Sequence, residues 1–317
     1  MHDSSLEMTL SGIRLNNPIL SASGPFGYGL EYLPLMNKGD LGALVVTGTT
    51  FEPRPGNPPP RIHETPAGML NAVGLENCGV EQFAKEILPK LAEYNLPIIV
   101  NIAGKTIDEY IKIVEYLEKV PNIAGYELNI SCPNVEQGGM AFGTDPDIAY
   151  TLTERVKQIS TKPVIVKLSP NVTDITVIAQ AAEAAGADCI SLVNTFLAMA
   201  IDIEKQRPVL GNVVGGLSGP AIRPIALRML WQAASAVDIP IIGMGGIDSW
   251  ESALEFILAG ATAVAVGTAF FTNPGIAQEI KQGLQAYMEK NMIDSLEKLV
   301  GAALPQKTVG GCIGIDD

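Results

Sequence analysis

Residues 127–146 read Glu-Leu-Asn-Ile-Ser-Cys-Pro-Asn-Val-Glu-Gln-Gly-Gly-Met-Ala-Phe-Gly-Thr-Asp-Pro, an apolar strand that runs out into amides, a hydroxyl and one thiol. A strand buried on both faces can end in Asn129, Ser131, Cys132 and Asn134 only if those side chains find partners, because a buried amide left without one costs roughly 1–3 kcal/mol. A bound ligand is the expected partner. The alternative is a loop that satisfies its own amides with backbone and water.

Short apolar runs of the same kind recur outward from this one. Eight can be counted, at 19–24, 43–48, 97–103, 125–131, 163–169, 189–195, 240–246 and 263–269, with amphipathic stretches between them. Eight strands separated by helices predict an α/β fold, a (β/α)8 TIM barrel. Ile107, Tyr110, Ile111, Val114 and Leu117 recur at helical spacing within 106–119. Ile175, Ile178, Ala179 and Ala182 mark a second helix over 174–185, with Gly186 as its stop. Two insertions, 51–96 and 197–219, follow the second and sixth strands, on the face where barrel enzymes build their sites. Proline-rich stiffness over 53–60 predicts a preformed wall rather than a disordered lid. Residues 8–18 read as a hairpin closing the opposite end of the barrel.

With 317 residues, 47% of them hydrophobic and 17% charged, the chain can bury one large core, and no linker divides it; it reads as one domain over 1–317. No apolar run reaches the roughly 20 residues of a membrane span. The opening Met-His-Asp-Ser-Ser-Leu-Glu lacks the basic start and apolar stretch of a signal peptide, so a cytoplasmic location without membrane attachment is expected. A formal charge of −13 repels a phosphate backbone and argues against nucleic acid as a partner. Cys78, Cys132, Cys189 and Cys312 form no CxxC pair and have no histidine close in sequence, so no metal site is expected and any iron–sulfur cluster must belong to a partner.

The strand ends carry the chemistry: Ala22-Ser23-Gly24, Thr47-Gly48, Asn101, Asn129 with Ser131-Cys132, Lys167, Asn194-Thr195, Gly245-Gly246 and Gly267-Thr268 should converge on one mouth. The last two pairs follow strands seven and eight, where barrels bind phosphate with backbone N–H groups and a helix N-terminus. Glycines that merely turn tight corners are the competing reading.

Five pieces in order, Asn129-Ile-Ser-Cys-Pro-Asn134, Lys167-Leu-Ser-Pro-Asn-Val-Thr-Asp174, Gly216-Leu-Ser-Gly-Pro-Ala221, Gly243-Met-Gly-Gly-Ile247 and Gly68-Met-Leu-Asn-Ala-Val-Gly-Leu75, resemble the class 1 dihydroorotate dehydrogenases, and more narrowly the NAD-linked class 1B catalytic subunit. The resemblance runs over nearly the whole chain. It implies an FMN-bound barrel that oxidises dihydroorotate to orotate in pyrimidine (UMP) synthesis, with FAD and a 2Fe–2S cluster only on a partner subunit that passes electrons to NAD. A homodimer is implied as well.

That reaction removes a proton from one carbon and a hydride from its neighbour, so the site needs a base beside a flavin. By resemblance Cys132 is the base, a thiol that ordinarily ionises near about pH 8.5 and needs only modest help near neutrality. Lys167 resembles the second catalytic residue, a cation at the flavin pyrimidine edge. The resemblance places Asn101 and Asn129 on FMN, and matches Ser23, Val193, Gly219, Gly245, Gly246, Gly267 and Thr268 to further flavin contacts. Asn71, Ala72, Val73, Gly74 and Leu75 line the substrate by the same match, as do Asn194 and Thr195. Asn71, Asn129, Asn134 and Asn194 offer donors and acceptors in planar pairs that suit an imide ring.

One departure stands out. Thr47, followed by Gly48, occupies the flavin-side position where the family carries lysine, replacing a long cation with a short hydroxyl. Three readings stay open: a dihydroorotate dehydrogenase that compensates through Lys167, a paralogue acting on another cyclic amide or enone, and a catalytically impaired homologue. Cys78 likewise stands where the family commonly has proline. Outside this reaction, tRNA dihydrouridine reduction on a similar barrel conflicts with the acidic charge, and a non-catalytic docking scaffold leaves the retained Cys132 unexplained.

Overall fold

The computed structural model describes residues 6–131, 133–134 and 140–305. Eight parallel strands form one sheet: β1 (Ile19–Ser21), β2 (Leu44–Val45), β3 (Ile98–Ile102), β4 (Gly125–Asn129), β5 (Val164–Lys167), β6 (Cys189–Leu192), β7 (Ile241–Met244) and β8 (Ala263–Val266). The sheet closes on itself at β1 and β2 through a parallel bridge between Leu20 and Ala43. Ser21 reinforces that seam, its Oγ accepting the Val45 N–H at 2.9 Å and donating to the Val45 carbonyl at 3.1 Å. All eight predicted strands are present, each shorter than its apolar run. The run continues past the ladder because its last residues turn toward the mouth.

Helices pack around the outside where the pattern places them. The helix Ile107–Leu117 is started by Thr106, whose side chain accepts the Glu109 N–H, and Ile175–Ala184 is started in the same way by Asp174. Such caps satisfy backbone donors that the helix itself leaves open.

Two apolar layers result. The larger lies between sheet and helices. The smaller fills the barrel interior with Leu20, Val45, Ile99, Ile165, Cys189, Ile242 and Ala265. Leu10, Ile13 and Leu15 of the N-terminal hairpin (Met8–Leu10 with Ile13–Leu15) join that inner layer and plug one end of the barrel, as the sequence predicts. Above it the interior turns polar, with Asn101, Glu127, Asn129, Lys167 and Ser191 all buried.

The two insertions build something the sequence does not announce, a four-stranded antiparallel sheet over the open end. It runs in the order Phe196–Ala198, Gly215–Ser218, Gly68–Asn71, Ile62–Thr65, so that Asn71 pairs with Gly216. The proline-rich segment is ordered against it: Asn57 donates from its backbone N–H to the Val73 carbonyl and from its side chain to the Ala72 carbonyl, each at 2.9 Å. This is the preformed wall expected of it. No helix among the described residues is long and apolar enough to cross a membrane.

Candidate active site

The polar floor of the mouth is set by strand register. Asn101 on β3 is aligned with Glu127 on β4, and Asn129 with Lys167 on β5, which is aligned in turn with Ser191 on β6. Glu127, only 1% exposed, accepts Asn101 Nδ2–H at 2.6 Å and Ser191 Oγ–H at 2.8 Å. Lys167, 4% exposed, donates from Nζ to Ser23 Oγ at 3.0 Å and lies 3.8 Å from Glu127 Oε1. It is a buried cation held by strand partners, not a surface lysine.

A second cluster lies at the neighbouring strand ends. Asn194 Nδ2–H is shared between Ser131 Oγ at 2.9 Å and Asn129 Oδ1 at 3.3 Å, while Asn129 Oδ1 also accepts the Ser131 N–H. These amides satisfy one another in the way the alternative reading of the strand end requires. Asn101 does not: its Oδ1 is buried without a hydrogen-bond partner among the described residues. Cys132 lies outside the described residues, as does the side chain of Asn134.

Two adjoining lobes open above this floor, one of about 700 Å³ and one of about 590 Å³. Ser23, Lys167, Asn194, Thr195 and Ser218 line both. The first lobe brings together Val193, Gly219, Gly245, Gly246, Gly267 and Thr268. The second brings together Thr47, Gly48, Asn71, Ala72, Val73, Gly74, Leu75, Asn101 and Asn129. The residues assigned from sequence to the cofactor are thus divided between the lobes, with Thr47, Gly48, Asn101 and Asn129 in the second lobe beside the 71–75 segment and Asn194 and Thr195 lining both.

Phosphate binding at the first lobe would rest on the glycine loops rather than on a long helix. The helix after β7, Trp250–Leu258, is closed by its own capping box between Ser249 and Ser252, and the helix after β8, Ala269–Thr272, is a single turn. By contrast, neither Gly245 nor Gly246 has its N–H taken by a protein acceptor among the described residues. Gly246 has φ +82°, and a Cβ there would stand 2.8 Å from the Gly219 carbonyl oxygen and from Arg223 Cβ. Only glycine fits that corner without strain. In the second lobe Gly74 has φ +78°, and its missing Cβ makes room for the Asn57 amide that holds the wall.

Thr47 is half-buried in the second lobe, its N–H given to the Gly27 carbonyl at 2.8 Å. Cys189 is fully buried in the inner layer, where desolvation and then the charge of Glu127 push its thiol well above the ordinary range, so it is an inert core residue. Cys78 packs its Sγ 3.1 Å from the Tyr28 hydroxyl, whose own ionisation burial pushes far up. Glu127 is the residue that sequence reading passed over. The signal was present: in a strand, residues two apart share a face, so Glu127 looks the same way as Asn129.

A barrel with a glycine-lined lobe, a buried lysine lining both lobes and an amide-rich second lobe has the form of an enzyme pocket. The family model for dihydroorotate dehydrogenase matches residues 5–288. The chain is 52% identical over 299 residues to the dihydroorotate dehydrogenase B (NAD(+)) catalytic subunit of Geotalea uraniireducens, covering 94% of this chain and 98% of that protein. To the protein of the same description from Desulforudis audaxviator it is 55% identical over 296 residues, covering 93% and 96%. This chain belongs to the dihydroorotate dehydrogenase family.

Proposed function

We propose that this chain oxidises dihydroorotate to orotate in pyrimidine synthesis as the FMN-binding catalytic subunit of an NAD-linked enzyme. The observation that carries the reading is the cavity floor, where one carboxylate accepts the Asn101 Nδ2–H, leaving the Asn101 oxygen without a partner among the described residues, and also lies 3.8 Å from the Lys167 cation. An acceptor beside a cation is complementary to the alternating N–H and C=O edge of a flavin imide. The residues present thus fit the cofactor: Asn101 and Lys167 at the ring, with Gly245, Gly246, Gly267 and Thr268 at the phosphate. Bound FMN supplies the acceptor for the hydride and the electrons.

The protein's own part is positioning and proton handling. Lys167 places fixed positive charge where negative charge develops, which is worth most in a buried setting. Asn194, Asn129 and Asn71 offer amide donors and acceptors to the ring, and the 71–75 segment forms the wall against which the substrate lies. Cys132, by family resemblance, takes the ring-carbon proton. The relatives' description as catalytic subunits supports a separate electron-transfer subunit, and the family resemblance gives that subunit FAD and the iron–sulfur cluster. The family resemblance supports a homodimer in the cytoplasm, with all of 1–317 as one FMN-binding unit.

Anaerobic addition of dihydroorotate to the purified flavoprotein is the test, followed by flavin absorbance. Bleaching is expected, and flavin that stays oxidised would move the reaction to another substrate. A second prediction concerns the first lobe: Gly246→Val should weaken FMN binding at least about 100-fold, through a left-handed backbone that valine resists and the lost approach to phosphate. Fluorescence titration of the apo-protein reads it. Near-normal affinity would remove the Gly246 corner from the phosphate site.

A further inference from the structure

The side-chain amide of Asn101 is ambiguous by shape, because exchanging its oxygen and nitrogen leaves its outline unchanged. Glu127 removes the ambiguity. Its Oε1 accepts Asn101 Nδ2–H at 2.6 Å, and an amide oxygen turned toward a carboxylate would be repelled, so the nitrogen must face Glu127. Oδ1 is thereby forced to the other side, toward Gly48, where a Cβ would stand 3.2 Å from it and glycine supplies none. There it has no partner among the described residues. The same Oε1 lies 3.8 Å from Lys167 Nζ, and Ser191 anchors Oε2 at 2.8 Å, so the carboxylate cannot swing away without giving up its other contacts.

We propose that Glu127 is a positioning residue that fixes the polarity of the cavity floor. It turns the Asn101 oxygen to the Gly48 side of the cavity floor, where it is buried without a partner among the described residues, and keeps Lys167 close by, so the floor holds an acceptor and a cation in a set order. This rests on the flavin reading above, since the ligand edge recognised is one carrying an N–H next to a carbonyl. A ring edge with those groups reversed would meet donor against donor. Glu127 itself is enclosed by its partners and acts through them.

The test uses sign reversal rather than loss alone. Apo-protein is titrated with FMN, and affinity is read from flavin fluorescence for the parent, Glu127→Gln, Asn101→Asp and the double variant, with the melting temperature of each recorded. Asn101→Asp sets two carboxylates against each other and should weaken binding about tenfold or more, the effect of at least one hydrogen bond. Glu127→Gln in the parent should weaken it several-fold, because Asn101 is no longer held to one orientation. In the double variant the glutamine N–H can donate to the introduced carboxylate, again leaving an oxygen on the Gly48 side, so Glu127→Gln should raise the affinity of the Asn101→Asp protein to within about threefold of the parent.

If Glu127→Gln lowers the affinity of Asn101→Asp further, or leaves it unchanged, the positioning role is overturned. Should Asn101→Asp fail to fold, Asn101→Ala takes its place. Glu127→Gln should then cost less than it does in the parent, since only its hold on Lys167 is left to lose, and an undiminished loss overturns the proposal. Failure of the parent itself to bind FMN would instead overturn the flavin reading, and is seen before any variant is compared.

Discussion

Replacing Thr47 by lysine is expected to raise kcat/KM for dihydroorotate by about 10- to 100-fold, the equivalent of the roughly 1.5–3 kcal/mol that a hydrogen bond to a charged group contributes. Thr47 lines the second lobe on a backbone held by Gly27, so a longer side chain starts from a defined position and enters open space. The substrate carries a carboxylate and the reaction develops negative charge. The parent meets both with Lys167 as its buried cation in the cavity. Steady-state rates with an artificial electron acceptor would measure the gain. An unchanged or lower rate would mean that the lobe has been rebuilt around threonine for a different ring.

The converse change, Lys167→Met, should be the more damaging. Removing a fixed donor from a site of developing charge commonly costs about 10²–10³ in kcat, and about that loss is expected here. The fold should suffer too. Glu127 would be left deep in the barrel with its cationic neighbour gone, and breaking a buried pair from one side costs about 3–5 kcal/mol. The two losses are separable: Lys167→Met with Glu127→Gln should recover most of the stability in a denaturant titration while leaving turnover low. A double variant no more stable than Lys167→Met alone would show that the pair does not hold this end of the barrel.

How much of this could be read from the residues depended on the kind of strand. β3 to β8 are covered on both faces, and their near-continuous apolar runs mark them plainly. The starts of the helices at Ile107 and Ile175 were equally legible, because Thr106 and Asp174 announce them. The antiparallel sheet over the mouth was not. Its strand Gly215–Ser218 opens with two glycines and is half-exposed over most of its length, and its partner Gly68–Asn71 lies far away in sequence. No local period marks such a strand; its pairing is a tertiary fact. In the site, residues at strand ends could be located because the barrel orders them, and Lys167 and Asn194 stand at the mouth accordingly. Glu127 escaped because it lies one pleat below that row, where its meaning depends on which neighbours the register brings to it.

The packed inner layer, with Leu10, Ile13 and Leu15 of the hairpin beneath it, closes the barrel below the cavity and so governs traffic. A pocket with a solid floor is a cul-de-sac, and whatever leaves must retrace the path by which its successor arrives. Product lingering in the cavity would therefore bar the next substrate molecule, and orotate should act as a competitive inhibitor against dihydroorotate. Turnover is then tied to the emptying of a single doorway, and cells holding high product levels would slow this step without any dedicated regulatory site.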